Sequence, residues 1–323
     1  MKHNQIGTPG VFTERQQALL DHYGTRAEST FVELRDPALQ AHVLHAGRGE
    51  PVVMVHGGNS VAVGMQPLFG QLAERFSVYA ADRPGCGLTD SYVYRRTDMR
   101  RHGVAFIGSL LDQLGLETVA LVGNSMGGFW CMAFALAHPE RVSHLILLGE
   151  PAGSSPRVGA RFQVLATPGL GRLLYATKLR PSPKAIRVSL AEVLVADINA
   201  VPQAFLDLAL AAATLPGATR AWVTMIRSCV RRFGESPLTH SLRGELGGLT
   251  TPTLFGWGDH DRLGEPRLGE EMAQLMPDAR VAVIEGAGHL PWLDRPQQVL
   301  ELVSGFLDPV APPARPTSSI SAS

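Results

Sequence analysis

The segment "VALVGNSMGGFWCMAFALAHPE", residues 119–140, decides the fold that this sequence predicts. It opens with a short apolar run, which is typical of a strand buried on both faces of a parallel sheet. Gly123, Gly127 and Gly128 then surround Ser125, and a helical pattern follows. The segment therefore predicts a buried strand that turns tightly into a helix, with one serine hydroxyl at the turn.

The same strand-and-helix pattern recurs upstream of this segment. Strands are predicted in "PVVMVHGG" and "SVYAAD", and helices over 67–76 and 97–115. The second helix has Thr97 or Asp98 to cap its start and Gly115 to end it. Strands that alternate with helices favour a mostly parallel, doubly wound α/β sheet with right-handed crossovers.

Two more strands are expected before this alternation begins. The stretches "STFVELRD" (29–36) and "QAHVLHAG" (40–47) alternate polar and apolar residues, and a turn at Asp36–Pro37 separates them. Alternation of this kind is typical of strands that bury one face only.

The alternation stops after the strand in "VSHLILLGE" and resumes at "TPTLFGWGD". Residues 151–248 hold helical segments broken by prolines, with no strand pattern. We therefore predict an α/β core made of 1–150 and 249–308, with an inserted all-helical cap between them. The tail, 309–323, is rich in proline and serine, so disorder is expected there.

Composition and charge exclude several classes of function. The 29 basic and 29 acidic residues give a formal net charge of zero, which argues against a nucleic-acid partner. No run approaches the length of a membrane span, and the N-terminus lacks an apolar signal sequence. We expect a cytoplasmic protein with a small-molecule substrate, as a monomer or a homodimer. Three widely spaced cysteines predict no structural metal site.

The serine in "GNSMGG" fits the pattern G-x-S-x-G. A serine hydroxyl is a weak nucleophile, so it must be lifted clear of the backbone toward a base and a substrate. A tight strand-to-helix turn does this, and glycines two residues to either side avoid collisions. The helix that follows directs free N–H groups and its positive dipole end toward an oxyanion. We interpret Ser125 as a nucleophile.

A base and an orienting acid are available after the last two predicted strands. His289 lies in "GAGHLPW", where small neighbours allow the loop to bring an imidazole over the sheet edge. Ligands bind at this carboxyl edge in open α/β sheets. Asp259 and Asp261 in "WGDHD" are both candidates for the acid, and Glu150 at the end of an earlier strand is a third. The order serine, acid, histidine is the one found in α/β-hydrolases.

Two backbone N–H groups are needed to hold the oxyanion. One is expected from Met126, the residue after the serine, and the other from Gly58 in "VVMVHGGNS". Asn59, Trp222 and Leu290 are the residues that we expect to border the substrate pocket. An acyl transfer by these groups requires neither a metal nor an organic cofactor.

Taken together, these motifs make the chain similar to the α/β-hydrolase superfamily, in its serine branch with a helical cap. The residues that carry the resemblance are "HGGN" at 56–59, "DRPGCGLTD" at 82–90, "GNSMGG" at 123–128, "WGDHD" at 257–261 and "GAGH" at 286–289. In such enzymes the acid commonly sits in a G-x-x-D pattern, which corresponds to Gly258 and Asp261. The resemblance thus implies a Ser125–His289–Asp261 triad.

The resemblance leaves three activities to consider. A cap rich in small apolar residues with a few aromatic ones favours a carboxylesterase for small to medium hydrophobic esters. The elbow "GNSMGG" also resembles that of meta-cleavage-product hydrolases, which cut carbon–carbon bonds. Those enzymes usually have aromatic residues directly after the histidine, where this chain has Leu290 and Pro291. A ligand-sensing receptor with an intact triad and little turnover is the third.

Overall fold

The computed structural model describes residues 7–95, 97–156, 158–177, 179–231 and 235–308. The predicted disordered tail, 309–323, lies outside the described residues. The described strands coincide with the apolar and alternating runs of the sequence: β1 Glu28–Arg35, β2 Ala38–Ala46, β3 Pro51–Val55, β4 Ser77–Ala81, β5 Val119–Asn124, β6 Val142–Leu148, β7 Thr253–Gly258 and β8 Ala279–Ile284.

These eight strands form one sheet in the order β1-β2-β4-β3-β5-β6-β7-β8. The strands β1 and β2 are antiparallel to each other, and β2 is also antiparallel to β4. All the remaining neighbours are parallel. The predicted mostly parallel sheet is confirmed, and its antiparallel part is the hairpin that the alternating pattern indicated.

Helices cover both faces of the sheet, as expected of a doubly wound fold. They are α1 Pro9–His22, α2 Leu68–Leu72, α3 Met99–Leu114, α4 Met126–Ala137, α11 Pro266–Ala273, α12 Pro291–Asp294 and α13 Pro296–Leu307. Alternate residues of β3 point to opposite faces of the sheet and pack in two different cores. Val52 and Met54 pack in the core beneath α1, α2 and α13, whereas Val53 and Val55 pack beneath α3, α4 and α11.

The ends of α3 match the capping residues read from the sequence. The Asp98 side chain accepts hydrogen bonds from the backbone N–H groups of Arg100 and Arg101, so Asp98 rather than Thr97 is the cap. Gly115 ends the helix with φ 68°, in the left-handed region that glycine adopts without a steric penalty.

Between β6 and β7 the described residues contain helices and no strand. The helices are α5 Ala160–Ala166, α6 Leu170–Ala176, α7 Pro183–Ser189, α8 Gln203–Thr214, α9 Ala218–Cys229 and α10 Pro237–Leu242. Helix α8 buries Phe205 and Leu208 in the core on one face of the sheet, and α9 buries Met225 and Cys229 in the other. The cap boundaries at 151 and 248 stay a prediction.

No helix within the described ranges combines the length and the apolar character that crossing a membrane requires.

Candidate functional site

Ser125 lies at the tightest turn of the sheet's carboxyl edge. Strand β5 ends at Asn124 and α4 begins at Met126, so Ser125 alone joins them, with φ 52° and ψ −115°. A positive φ is strained for a residue with a side chain. Gly127 is required here because a Cβ at that position would overlap the backbone oxygen of Val55. The turn therefore has the sharp, strained geometry that the glycine pattern predicted.

His289 and Asp261 form a buried pair beside this turn. Nδ1 of His289 lies 2.8 Å from Oδ2 of Asp261, and the two side chains are 2% and 0% exposed. The Asp261 carboxylate also accepts hydrogen bonds from the backbone N–H of Glu150 at 2.8 Å and of Leu263 at 2.9 Å. A carboxylate accepts but cannot donate, so Nδ1 carries the proton and Nε2 of the neutral ring is left as an acceptor.

Asp259, two residues before Asp261, binds the backbone of a neighbouring loop instead of the His289 ring. Its Oδ1 accepts hydrogen bonds from the backbone N–H of Gly286 at 2.8 Å and of Ala287 at 3.2 Å. The exposed His260 ring lies 2.7 Å from the same oxygen. Asp259 therefore ties together the loops after β7 and β8 rather than orienting His289.

Glu150, the third candidate acid, is buried close to the pair. Burial raises the pKa of its carboxyl well above the usual value, and the charge of Asp261 raises it further. A Cβ at Gly264 would lie 2.9 Å from Cγ of Glu150, so its side chain packs against the loop that follows Asp261. The Glu150 carboxyl therefore holds its proton more tightly than an exposed glutamate, and Asp261 rather than Glu150 contacts the histidine.

The serine turn and the histidine loop are joined by Asn124, which the sequence reasoning had not singled out. Its Nδ2 donates to the backbone oxygens of Leu148 at 2.7 Å and of His289 at 3.2 Å. Its position next to Ser125 inside the elbow motif was the available signal. In the described chain, no hydrogen bond joins the Ser125 hydroxyl to the His289 ring; in catalytic sites such contacts often tighten only when a substrate is bound.

The loop after β3 lies directly against Ser125. A Cβ on Gly57 would be 3.2 Å from the Cβ of Ser125, which places the "HGG" backbone beside the nucleophile position. Gly58 follows in the same loop. Met126 is the first residue of α4, where backbone N–H groups have no acceptor within the helix. The two expected oxyanion donors therefore belong to segments that meet at Ser125.

His56, in the same loop, is held in a structural role. Its Nδ1 lies 2.8 Å from the oxygen of Gly57, and its Nε2 accepts the backbone N–H of Arg83 at 2.9 Å. Burial, with a smaller effect from the charge of Arg83, lowers the pKa of His56 to about 3. The ring is neutral at ordinary pH and fixes the loop by both nitrogens.

Aromatic side chains from the helical segment cover this loop. The Trp222 ring in α9 packs on Gly58, since a Cβ there would lie 2.5 Å from Cζ3 of Trp222. Nε1 of Trp222 donates to the Tyr175 hydroxyl at 2.6 Å, and the Phe162 ring stands edge-on to Trp222 with centroids 6.3 Å apart. Trp222 thus covers one of the two expected oxyanion donors.

Asn59 and Trp222 border one small cavity, of about 20 Å³, which has room for a single water molecule. Leu290, the third residue expected at the pocket, is not among those that line it. It is buried next to His289, and its backbone N–H donates to the oxygen of Leu194 at 2.8 Å. Neither Ser125 nor His289 lines this cavity, so the place of Leu290 in a substrate pocket stays a prediction.

Asp294, in α12, is a second residue that the sequence reasoning missed. Its carboxylate accepts the backbone N–H of Gly288 at 2.8 Å and those of Ala196 and Asp197 at 3.0 Å. It therefore fastens the loop that carries His289 to the inserted helical segment. Nothing local in "WLDRP" distinguishes this carboxylate from a solvated one, because its partners are distant in sequence.

Comparisons with known proteins show the family to which the chain belongs. A family model described as the alpha/beta hydrolase fold matches residues 50–296. A 2-hydroxy-6-oxononadienedioate/2-hydroxy-6-oxononatrienedioate hydrolase of Dechloromonas aromatica is 30% identical, over 87% of this chain and 96% of that protein. A 2-hydroxy-6-oxo-6-phenylhexa-2,4-dienoate hydrolase of Burkholderia cepacia is 28% identical, over 81% and 90%.

Among solved structures, a carboxylesterase of Bacillus subtilis matches with a TM-score of 0.75 at 20% identity, over 93% of this chain and 98% of that one. A naproxen esterase of the same organism matches with a TM-score of 0.70 at 20% identity, over 94% and 100%. Similarity at this level of identity shows a shared fold.

Proposed function

Since the chain belongs to the α/β-hydrolase fold family and is a hydrolase, we propose that it cleaves small to medium hydrophobic carboxylic esters through an acyl-enzyme. The observation that carries the proposal is the buried His289–Asp261 pair, with its 2.8 Å contact, beside the strained turn at Ser125. A histidine whose Nδ1 proton is committed to a carboxylate presents Nε2 as a base.

In the proposed reaction, Ser125 attacks the ester carbonyl carbon while Nε2 of His289 takes the hydroxyl proton. The negative oxygen that develops is held by the backbone N–H groups of Gly58 and Met126. Collapse of this intermediate breaks the bond to the alcohol, which leaves with the proton from His289. A water molecule then attacks the acyl-enzyme by the same proton transfers, releasing the acid and regenerating Ser125. Asp261 orients the imidazole and stabilises its charged form.

The preference for an apolar substrate rests on the cover over this site. The Trp222 ring lies above the loop that carries Gly58, and the Phe162 ring stands edge-on to Trp222. An apolar acyl group bound beneath them would displace poorly held water and strengthen the hydrogen bonds to the oxyanion. Because Trp222 now lies on Gly58, its ring must move for an acyl group to reach both donors.

The experiment compares kcat/KM for p-nitrophenyl esters of increasing acyl length with that for a ring-fission dienoate. The proposal expects the esters to be turned over faster, with a preference for short and medium chains. Trp222→Ala should shift this preference toward longer chains, whereas Leu173→Ala, at a side chain that is 59% exposed on α6, should leave it in place. A dienoate preferred over every ester would contradict the proposal.

Carbon–carbon bond hydrolysis is the second candidate. The observation in its favour is that relatives 28–30% identical over most of their length are named as hydrolases of 2-hydroxy-6-oxo dienoates. Ser125, His289 and Asp261 would have the same roles in this reaction, and the carbon–carbon bond would break with a carbanion as the leaving group. Fast loss of the dienoate chromophore, abolished by Ser125→Ala, would establish this activity in place of the esterase.

A further inference from the structure

A second set of serine, histidine and aspartate side chains forms a chain of two contacts on the antiparallel side of the sheet. Oγ of Ser29 in β1 is 2.8 Å from Nε2 of His42 in β2, and Nδ1 of His42 is 2.7 Å from Oδ2 of Asp82. His42 and Asp82 are 0% and 1% exposed, whereas Ser29 is exposed. The chain of contacts therefore runs from a buried acid and a buried base to a serine in an exposed position of the edge strand.

Asp82 is held as a charged group by its surroundings. Its Oδ1 accepts the backbone N–H of Ala62 at 2.7 Å, and its Oδ2 accepts that of Leu88 at 3.0 Å. These contacts, with the bond to His42, outweigh burial and keep the pKa of Asp82 below its usual value. An ionised carboxylate accepts the Nδ1 proton of His42, which in the neutral ring leaves Nε2 to accept the Ser29 hydroxyl proton.

The positions of His42 and Asp82 are fixed by the backbone as well. The N–H of Asp82 donates to the oxygen of His42 at 3.0 Å. The Thr89 hydroxyl accepts the N–H of His42 at 2.9 Å and donates to the backbone oxygen of Asp82 at 2.7 Å. Locking of the acid and base in this way favours proton transfer from an aligned serine.

We propose that Ser29 is a second nucleophilic serine, a covalent modification site for activated acyl and phosphonyl esters that is separate from Ser125. With a fluorophosphonate, Oγ of Ser29 bonds to phosphorus as its proton passes to Nε2 of His42, and the phosphorus–fluorine bond breaks to release fluoride. Ser29 stands in a regular edge strand rather than at a helix start, so the adduct is expected to persist instead of turning over.

The chain offers an internal control in Ser77. Its Oγ lies 3.0 Å from Nε2 of His45, but the only acid recorded at His45 in the described chain is Glu28, 4.0 Å from Nδ1 and 81% exposed. The serine–histidine contact is thus similar, while the carboxylate behind it is distant and solvated. Ser77 is also less exposed than Ser29, and its Oγ lies 3.4 Å from the Tyr79 hydroxyl, so the comparison is read together with the His42 variant.

The test treats the Ser125→Ala protein with a fluorophosphonate and follows adducts by intact mass and peptide mapping. We expect one adduct per chain at Ser29, forming about 10²-fold or more faster than at Ser77, because only His42 has a buried acid that fixes its tautomer, and loss of that function costs up to about 10⁴-fold in a triad. The adduct should be absent from the Ser29→Ala/Ser125→Ala protein and from Ser125→Ala protein unfolded in urea.

Absence of a Ser29 adduct, or labelling of Ser29 no faster than of Ser77, would overturn the proposal and leave the His42–Asp82 pair as a structural link. His42→Gln in the Ser125→Ala background should slow labelling to the Ser77 rate, with circular dichroism as the check on folding. Should that variant unfold, the comparison of Ser29 with Ser77 still decides the question.

Discussion

Two buried histidine–aspartate pairs lie in the part of the chain that the structure describes, and they differ in the serine beyond each histidine. The contacts themselves are almost equal, 2.8 Å for His289–Asp261 and 2.7 Å for His42–Asp82. Ser29 sits in a regular strand and already contacts its histidine, whereas Ser125 occupies a strained turn at the start of a helix. A buried histidine–aspartate pair therefore does not by itself distinguish the two sites. The strained turn and the start of a helix are found at Ser125 and not at Ser29.

Each of the two aspartates also accepts hydrogen bonds from backbone N–H groups, and the segments that supply them differ. Asp82 binds the backbone of two separate segments, at Ala62 and Leu88, in addition to its histidine. Asp261 binds the backbone of its own loop at Leu263 and of the β6 end at Glu150. Both substitutions should therefore cost stability, but only the one at Asp261, whose histidine is the proposed base, should also lower activity strongly.

The largest effect is expected from Ser125→Ala, which removes the proposed nucleophile. Hydrolysis of an activated aryl ester should fall by about 10⁴-fold or more, leaving only what binding and the backbone donors contribute. Steady-state rates measure the loss, and an unchanged urea unfolding curve shows that the fold is kept. Retained turnover would remove Ser125 from the mechanism.

Asp261→Asn should come next, lowering kcat by about 10³–10⁴-fold, because the amide favours the wrong tautomer of His289. Asp259→Asn is the matched control, two residues away. It should lower kcat by less than about tenfold, since Asp259 bonds the loop N–H groups of Gly286 and Ala287. The reverse ranking of the two variants would assign the acid to Asp259.

Asp82→Asn should act on stability instead. Removing one charge of a buried pair typically costs about 3–5 kcal/mol of the free energy of unfolding, because the partner loses its compensation. Urea unfolding measures this loss, and kcat of the protein that remains folded should stay far closer to the parent value than in Asp261→Asn. If Asp82→Asn abolished turnover with little change in stability, the two pairs would have exchanged roles.

Glu150→Gln should produce the smallest effect, visible in the pH dependence of stability. The pKa of Glu150 is raised in the folded chain, so the unfolded chain releases this proton from about pH 4.5 while the folded chain retains it. Stability is therefore lost as the pH rises from that value to the folded pKa, by up to about 1.4 kcal/mol per pH unit.

The neutral glutamine removes this dependence, so the variant should gain stability over the parent as the pH rises above about 4.5, the ordinary glutamate value. The backbone N–H that binds Asp261 is unchanged by the substitution. Unfolding free energies measured from pH 4.5 upward check the result, and parallel curves for the two proteins would show that Glu150 is ionised in the folded chain.

Local patterns were enough to predict most of the core. The apolar runs of β3 and β5 and the capping residues Asp98 and Gly115 act over a few residues, so they can be read directly. The order of Ser125, an acid and a histidine likewise follows from motifs at strand ends. Hydrophobic periodicity and turn chemistry carry this information without knowledge of distant contacts.

Contacts between segments that are distant in sequence could not be predicted from local patterns. The Ser29–His42–Asp82 alignment depends on how β1 pairs with β2 and β2 with β4, which no local pattern specifies. The bonds of Asn124 and the position of Trp222 over Gly58 depend on packing between loops and helices far apart in sequence. Side-chain chemistry limits what such residues can do, but tertiary packing decides what they meet.

The carboxylate of Asp294 has a mechanical consequence. The carboxylate accepts hydrogen bonds from the backbone of two segments. One is the loop of His289, at Gly288, and the other is the helical segment, at Ala196 and Asp197. This point of the segment is therefore clamped to the loop of the base. While these hydrogen bonds hold, a displacement of α9 that uncovers Gly58 would leave Ala196 and Asp197 bonded to the loop of His289.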